Sequence, residues 1–470
     1  MGSVVVKKLE GGSFVGGVAK VIKGQQSFFK TGKTKALEFR LEQLKNLQKA
    51  IRDNEKQIMA AIQKDLNKDP FESYLAEIGM VLDEISHLIK YLPKWMGRKR
   101  VKTPLIHFLA SSFTYAEPHG VSLIISPWNY PFLLSLSPLA GAIAAGNCVV
   151  LKPSEYSFYT SEIIEKLVRD NFDASYISVV RGGREANKSL FEQKFDYIFF
   201  TGSQAVGKVL MEAAAKHLTP LTLELGGKSP CIVDETADLQ LAAKRIVWGK
   251  FLNAGQTCIA PDYLLVKASV KAGLLLEMKK FLIEFYGKNP CNNPLYPKII
   301  NEKHFSRLLG LLQGATVVAG GSFNEQTCQI SPTIVEGVDW EHPLMQEEIF
   351  GPILPVLEFD KIGEAIDQIS EQPKPLALYL FTGDKKNVDP VLNGISFGGG
   401  CINDTVAHIA SPYLPFGGVG ESGMGKYHGK ASFEIFSNQK GILNKSNLFD
   451  LPFRYPTHRK QLNLVKSLLK

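Results

Sequence analysis

The sequence is short of cysteine, of clustered charge and of low-complexity runs. Six cysteines are spread over 470 residues, at Cys148, Cys231, Cys258, Cys291, Cys328 and Cys401. None forms a C-x-x-C pair, which excludes the common zinc sites and a thioredoxin-type redox pair. So sparse a set builds no disulfide framework and predicts a reducing, cytoplasmic setting. The nine histidines show no H-x-x-x-H spacing, so no metal site is expected. Basic residues outnumber acidic ones 54 to 46, giving a net charge of +8, but the lysines are scattered. The one tight run, Arg98, Lys99, Arg100 and Lys102, reads as a solvated surface segment rather than a nucleic-acid patch. The N-terminus has no apolar core of the kind a secretory signal needs.

What is present is an ordinary globular composition, 45% hydrophobic and 21% charged. At ~100–200 residues per domain, the length predicts two or three domains. A chain of this size buries most of its apolar surface without disulfide or metal staples.

Residues 118–151 hold no Asp, Glu, Lys or Arg, which passes the length test for a membrane span. Asn129, Pro131, Ser135, Ser137, Pro138, Gly141, Gly146 and Asn147 argue otherwise. They divide the run into a strand at 121–125, a small-residue helix around 137–145 and a strand at 148–151. Fully buried parallel strands read as continuous apolar runs.

Periodicity predicts one long amphipathic helix over 35–65 and another over 73–92, stopped by Pro93. From residue 120 the pattern becomes strand, turn, helix, repeated through LTLEL at 221–225. It restarts at Cys231 and continues to a strand at 376–381. That is the alternation of doubly wound parallel sheets, with a boundary near Gly226 and Gly227. Residues 412–426 read as a Gly/Pro loop, and the last ten residues as a short basic amphipathic helix.

Two glycine motifs resemble nucleotide sites. Gly202 to Lys208 fits G-x-x-x-x-G-K, but Val209 stands where Ser or Thr would reach Mg²⁺. Its backbone amides remain able to hold a phosphate at a helix N-terminus. Gly418 to Gly423 fits G-x-G-x-x-G, yet no strand precedes it, and it reads as a loop.

The chemistry gathers elsewhere. Cys258 ends the segment NAGQTC, where polar and Gly neighbours predict an accessible thiol close to backbone N–H groups. A buried, inert cysteine is the other reading. Glu224 closes an apolar strand, either as a working carboxylate or as a salt-bridge partner of Lys228. Asn129 and Lys152 end strands of the first run, where ligands bind in open α/β sheets.

Together the segments SPWNYPF, VVLKPSE, FFTGSQAVGK, LTLELGGKSP, NAGQTCIAPDY, MQEEIFGPILP and LPFGGVGESGMGKYHGK resemble the aldehyde dehydrogenase superfamily. Within it they resemble the class 3, fatty-aldehyde branch, over residues 30 to 456. The resemblance implies an α/β fold of two Rossmann-like doubly wound domains plus a small oligomerisation hairpin and tail. The cofactor domain would comprise 1–100 and 119–227, the catalytic domain 228–405, and the oligomerisation segment 101–118 with 406–470. Cys258 would be the nucleophile, Asn129 an oxyanion donor, and Glu224 the base that activates water. Trp128, Lys152, Glu155, Gly202, Ser203, Gln204, Ala205, Val206, Gly207, Glu348 and Phe350 would hold the cofactor. NAD would be preferred and NADP tolerated. The substrate would be a medium- or long-chain aliphatic or an aromatic aldehyde, and the assembly a homodimer. A CoA-acylating member would keep Cys258 but dispense with hydrolysis by Glu224, and a P-loop nucleotide hydrolase is the rival from another class. The first dozen residues and GGSFVGG have no counterpart in the family pattern and are expected as a flexible extension. The charged tail is too short to span a membrane. It would lie on a membrane surface or pack against the body.

Overall fold

The computed structural model describes residues 14–448, 450, 455–456 and 462–468. Among the described residues four sheets form, one of them a two-stranded hairpin of Phe323–Asn324 and Gln329–Ile330, and the other three organise the chain. In the first, the strands lie in the order Gly423–Met424, Leu221–Glu224, Tyr197–Thr201, Val121–Ile125, Cys148–Lys152, Ile177–Val179. Every pair among the last five is parallel. Strands Val121–Ile125, Cys148–Lys152 and Tyr197–Thr201 are buried along their whole length. Helix Leu133–Ala145 between the first two is buried at every residue. The charge-free run is therefore a buried strand–helix–strand at the centre of the core, as periodicity and its turn residues indicate.

The second sheet runs Thr316–Ala319, Thr333–Glu336, Ile353–Phe359, Tyr263–Lys267, Pro230–Val233, Ala377–Phe381, Gly399–Ile402. It is parallel apart from the antiparallel edge strand Thr316–Ala319. The third sheet is a small antiparallel layer of Lys99–Val101, Ala110–Pro118 and Ser437–Lys445.

Several elements differ from the sequence expectations. The helix over 35–65 is two, Leu37–Asp53 and Glu55–Leu66. Asn54 interrupts it with φ −113° and ψ 12°, and its side-chain amide donates to the Ala50 carbonyl at 2.9 Å, competing with the helix's own donors. The next helix opens at Pro70–Ser73, passes through a π-helical turn, Tyr74–Ile78, and continues as Gly79–Trp95. Pro93 does not stop it: Met96 N–H still closes on Leu92 at 3.0 Å. From Phe14 the GGSFVGG stretch is helix, Phe14–Lys30, and Gln25 ties it to the first sheet by donating to the Val149 carbonyl at 2.7 Å. The first thirteen residues lie outside the described ones. The 412–426 loop contributes strand Gly423–Met424 to the first sheet, paired with Glu224 and Leu223. The C-terminal helix is Leu462–Leu468; Gln461, Leu469 and Lys470 lie outside the described residues. Among the described residues no helix is long and apolar enough to cross a membrane.

Candidate active site

Helix Leu239–Phe251 delivers the chain to Cys258 through an unusual backbone. Asn253, Ala254 and Gly255 are all left-handed, with φ of 53°, 51° and 71°. Only the glycine adopts that region without cost, so the surroundings must impose it. Gly255 is required for a second reason: a Cβ there would sit 2.2 Å from the Gly351 carbonyl oxygen. The loop is pinned from several directions. Asn253 Nδ2 donates to the Asn129 carbonyl at 2.8 Å and to the Gln256 carbonyl at 3.2 Å. Gln256 donates to the Lys298 carbonyl at 3.0 Å and accepts from Ile300 N–H at 3.0 Å.

Cys258 is half-buried, less open than its polar neighbours predict. Burial pushes its thiol up to about 12, Glu348 and Glu224 add to this, and the backbone N–H groups of Cys258 and Ile259 oppose it. The amides thus favour the thiolate, while burial keeps the resting thiol protonated.

Glu224 is 2% exposed, and neither carboxylate oxygen has a hydrogen-bond partner. Burial raises its pKa well above the ordinary carboxylate value, and only Lys426 draws it back. It has no salt bridge with Lys228. That ammonium instead pairs with Asp262 at 2.5 Å and donates to the carbonyls of Leu344 and Glu347. The 412–426 loop walls in Glu224: a Cβ on Gly417 would come within 2.7 Å of its Oε1.

Asn129 is also 2% exposed. Its Nδ2 donates one hydrogen to the Gln256 carbonyl at 2.9 Å, which leaves the second N–H of the amide to donate. Trp128 packs edge-on to Phe350 at 5.3 Å. Phe350 is held at φ 49°, another non-glycine residue in the left-handed region. The carboxyl of Glu348 is pushed up to about 8, chiefly by burial, against the pull of a Gly227 backbone hydrogen bond. It lies over Gly226, where a Cβ would be 2.0 Å from its Oε2.

The other predicted residues border the first sheet. Lys152 is 3% exposed; burial draws its pKa down to about 8, with Glu155 opposing. The Glu155 carboxylate lies against Gly183, where a Cβ would be 1.8 Å from Oε2. Helix Gln204–Ala215 begins immediately after Ser203, whose side chain makes no cap. Ser203, Gln204, Ala205 and Val206 face solvent, and Gly207 packs against Leu225. The segment from Gly202 to Gly207 is therefore mostly a first helical turn, not the extended loop a P-loop hydrolase needs. Its first N–H groups carry no side-chain cap, and such groups at a helix N-terminus are able to receive an anion.

Residues 16–442 match the family model described as the aldehyde dehydrogenase family. The chain belongs to that family. It is thus an enzyme acting on aldehydes, with oxidation to acids as the family reaction. Aldehyde dehydrogenase family 3 member A2 of Macaca fascicularis is 47% identical over 418 residues, covering 89% of this chain and 86% of that one. The rat (Rattus norvegicus) protein named "Aldehyde dehydrogenase, dimeric NADP-preferring" is 45% identical over 431 residues, covering 92% and 95%. A solved structure titled "Substrate bound state of Staphylococcus Aureus AldH" superposes with a TM-score of 0.94 at 47% identity, over 96% of this chain and 99% of that one.

One feature of this aldehyde dehydrogenase fits a nicotinamide dinucleotide: the uncapped, exposed turn at 203–206. The missing side chains of Gly183 and Gly226 instead let the Glu155 and Glu348 carboxylates pack against the backbone there. Sequence reasoning did not find the residues that brace the site. Arg307 donates to the Glu347 carboxylate at 2.8 Å and to the carbonyls of Glu348 and Ile349. Asp262 accepts from Ile349 N–H at 3.0 Å. Glu72 accepts from Asn253 N–H at 2.9 Å. The available signal was a carboxylate on an otherwise apolar helical face, as at Glu77 and Glu84, both buried.

Proposed function

We propose that the chain oxidises medium- or long-chain aliphatic or aromatic aldehydes to carboxylic acids with NAD preferred and NADP accepted. The observation that carries this reading is Glu224: a buried carboxyl with both oxygens unpartnered, close enough to Cys258 to raise its pKa. Such a group is costly without a task. Its raised proton affinity makes it a stronger base than a carboxylate in water.

Glu224 takes the thiol proton, and the Cys258 sulfur forms a bond to the aldehyde carbon. The carbonyl π pair moves onto oxygen, where the free Asn129 amide N–H and the Cys258 backbone N–H stabilise the charge. When bound, the nicotinamide dinucleotide supplies the hydride acceptor. The acyl group is left on Cys258 as a thioester. Glu224 passes the thiol proton to solvent and then withdraws a proton from water, whose oxygen attacks the acyl carbon. The carbon–sulfur bond breaks, the acid leaves, and the sulfur recovers its proton.

Lys152 and Glu155 would hold the adenosine ribose. Gly202, Ser203, Gln204, Ala205, Val206 and Gly207 would face the pyrophosphate, and Trp128, Glu348 and Phe350 would place the nicotinamide riboside. The cofactor domain would be 1–100 with 119–227, and the catalytic domain 228–405. The segments 101–118 and 406–470 would join two copies. Exposed Leu105, Phe108, Leu109, Ile442 and Leu443 on and beside the small sheet support a homodimer, as does the dimeric rat relative. Six free cysteines support a cytoplasmic setting. The helix Leu462–Leu468 is of a size for surface contact with a membrane, not for crossing one.

Glu224→Gln tests the reading against a CoA-acylating enzyme. Rapid mixing with octanal and NAD is expected to give at most one equivalent of NADH per site, followed by slow turnover, with acid as the wild-type product. Deacylation as fast as wild type would make Glu224 structural, and acyl-CoA as the wild-type product would establish the alternative.

A further inference from the structure

Lys68 and Glu77 form an ion pair with both side chains 0% exposed, 2.7 Å apart. Withdrawing two charges from water is costly, and apolar residues of similar volume often stabilise a fold as well or better. Neither group takes part in the steps above. Glu77 lies in the π-helical turn Tyr74–Ile78, a rare conformation that recurs at functional sites.

The hydrogen bonds of the pair converge on one short loop. Lys68 Nζ donates to the Asn129 carbonyl at 3.2 Å and sits 4.1 Å from the centre of the Tyr130 ring. Glu77 Oε2 accepts from Phe132 N–H at 2.9 Å and Leu133 N–H at 3.3 Å. One ion pair thus holds the carbonyl at one end of 129–133 and the amides at the other. The same loop touches the nucleophile's segment. The Asn129 carbonyl also accepts from Asn253, and the Asn129 side chain donates to Gln256. Glu72, five residues before Glu77, binds Asn253 N–H.

We propose that the Lys68–Glu77 pair is a positioning device for the reaction: it fixes the 129–133 loop so that the Asn129 amide is aimed beside Cys258. The pair touches neither aldehyde nor cofactor and acts through Asn129. This inference rests on Asn129 being an oxyanion donor, as proposed above. The charges matter because they grip peptide groups. A methionine and a leucine would fill the space but leave the Phe132 and Leu133 amides without an acceptor.

The test is a four-cornered cycle in the full-length protein with NAD and octanal. Lys68→Met/Glu77→Gln removes both charges together, so no lone buried ion remains, and the new amide keeps an acceptor for Phe132. Combined with Asn129→Ala it completes the cycle. The pair variant alone is expected to lower kcat by about 10- to 100-fold, the effect of a small misplacement of a reacting group. Its KM for NAD should change less than about twofold. In the Asn129→Ala background the same pair variant is expected to cost nothing further. An equal loss in both backgrounds would overturn the positioning role while leaving that of Asn129 intact. A wild-type kcat for Asn129→Ala alone would overturn the oxyanion reading, and the inference with it. If the double variant does not fold, Glu77→Asp keeps the charge, withdraws the acceptor from Phe132, and is read in the same cycle.

Discussion

The turn at 202–207 and the loop at 253–258 each follow one regular element, strand Tyr197–Thr201 and helix Leu239–Phe251. They are built in opposite ways. The turn is exposed from Ser203 to Val206, and its first N–H groups are free of side-chain caps. The loop is buried at Asn253 to Thr257, carries three successive left-handed residues, and is held by Glu72, Asn129, Lys298 and Ile300. A phosphate-binding turn needs only donors in helical register, which local sequence supplies. A nucleophile needs its position imposed to a fraction of an ångström, and that comes from residues far away in the chain.

The comparison breaks most completely at the loop. Cys258→Ser is expected to lower kcat on the order of 10⁶-fold, as removal of other catalytic nucleophiles does. The serine hydroxyl is far harder to ionise than the thiol, even though the same backbone amides remain. The melting temperature should stay within a few degrees, since the substitution leaves the loop's hydrogen bonds in place. Turnover near wild type in the purified variant would remove Cys258 from the mechanism.

Asn129→Ala should cost less, about 10²–10³ in kcat, the usual effect of losing one oxyanion donor. Cofactor affinity should hardly move, because the amide lies on the loop side of the comparison, bonded to Gln256. Weakened NAD binding with intact single-turnover chemistry would place Asn129 with the cofactor instead.

The same contrast explains what sequence could reveal. The strands at 121–125, 148–152 and 197–201 and the helix from Gln204 announce themselves by apolar runs and a glycine turn. The sheet is buried on both faces, so its pattern is local. Three of the four parallel pairs are joined by a single crossover helix, whereas the pairing of 121–125 with 197–201 reaches across two intervening strands and is not local. Cys258 and Glu224 stood out because a polar turn and a carboxylate at a strand end are conspicuous in their own segments. The break at Asn54 did not, because it depends on a side-chain amide choosing a helix carbonyl. Lys228 as the partner of Asp262 rather than Glu224, the grip of Arg307 on the Glu348 segment, and the closure of 412–426 over Glu224 were also hidden. Each joins positions that only tertiary folding brings together.

The smallest expected effect lies on the binding side, at Glu155, three residues after Lys152. A carboxylate just ahead of a helix, as Glu155 is, can cap its N-terminus. That helix is Phe158–Asn171, and Asp65 serves its N-terminus instead, accepting from Tyr159 N–H at 3.1 Å and Thr160 N–H at 2.7 Å. Glu155 is left beside Gly183 and close to Lys152. A carboxylate there can accept a hydrogen bond from a ribose 2′-hydroxyl and repel a 2′-phosphate. On the proposed reading Lys152 would attract the phosphate, so discrimination should be partial, with NAD preferred and NADP used at a higher KM. Glu155→Gln keeps the shape and removes the repulsion. The ratio of kcat/KM for NADP over NAD should rise about tenfold, equivalent to ~1.4 kcal/mol. The melting temperature should not change, because Asp65 still caps the helix. A helix-capping Glu155 would give the reverse pair of results: a cofactor ratio unchanged and a lower melting temperature, from the loss of ~0.3–1 kcal/mol at the helix's positive end. Both quantities can be read on one preparation, so the variant separates a ribose contact from a cap without reference to any other residue of the site.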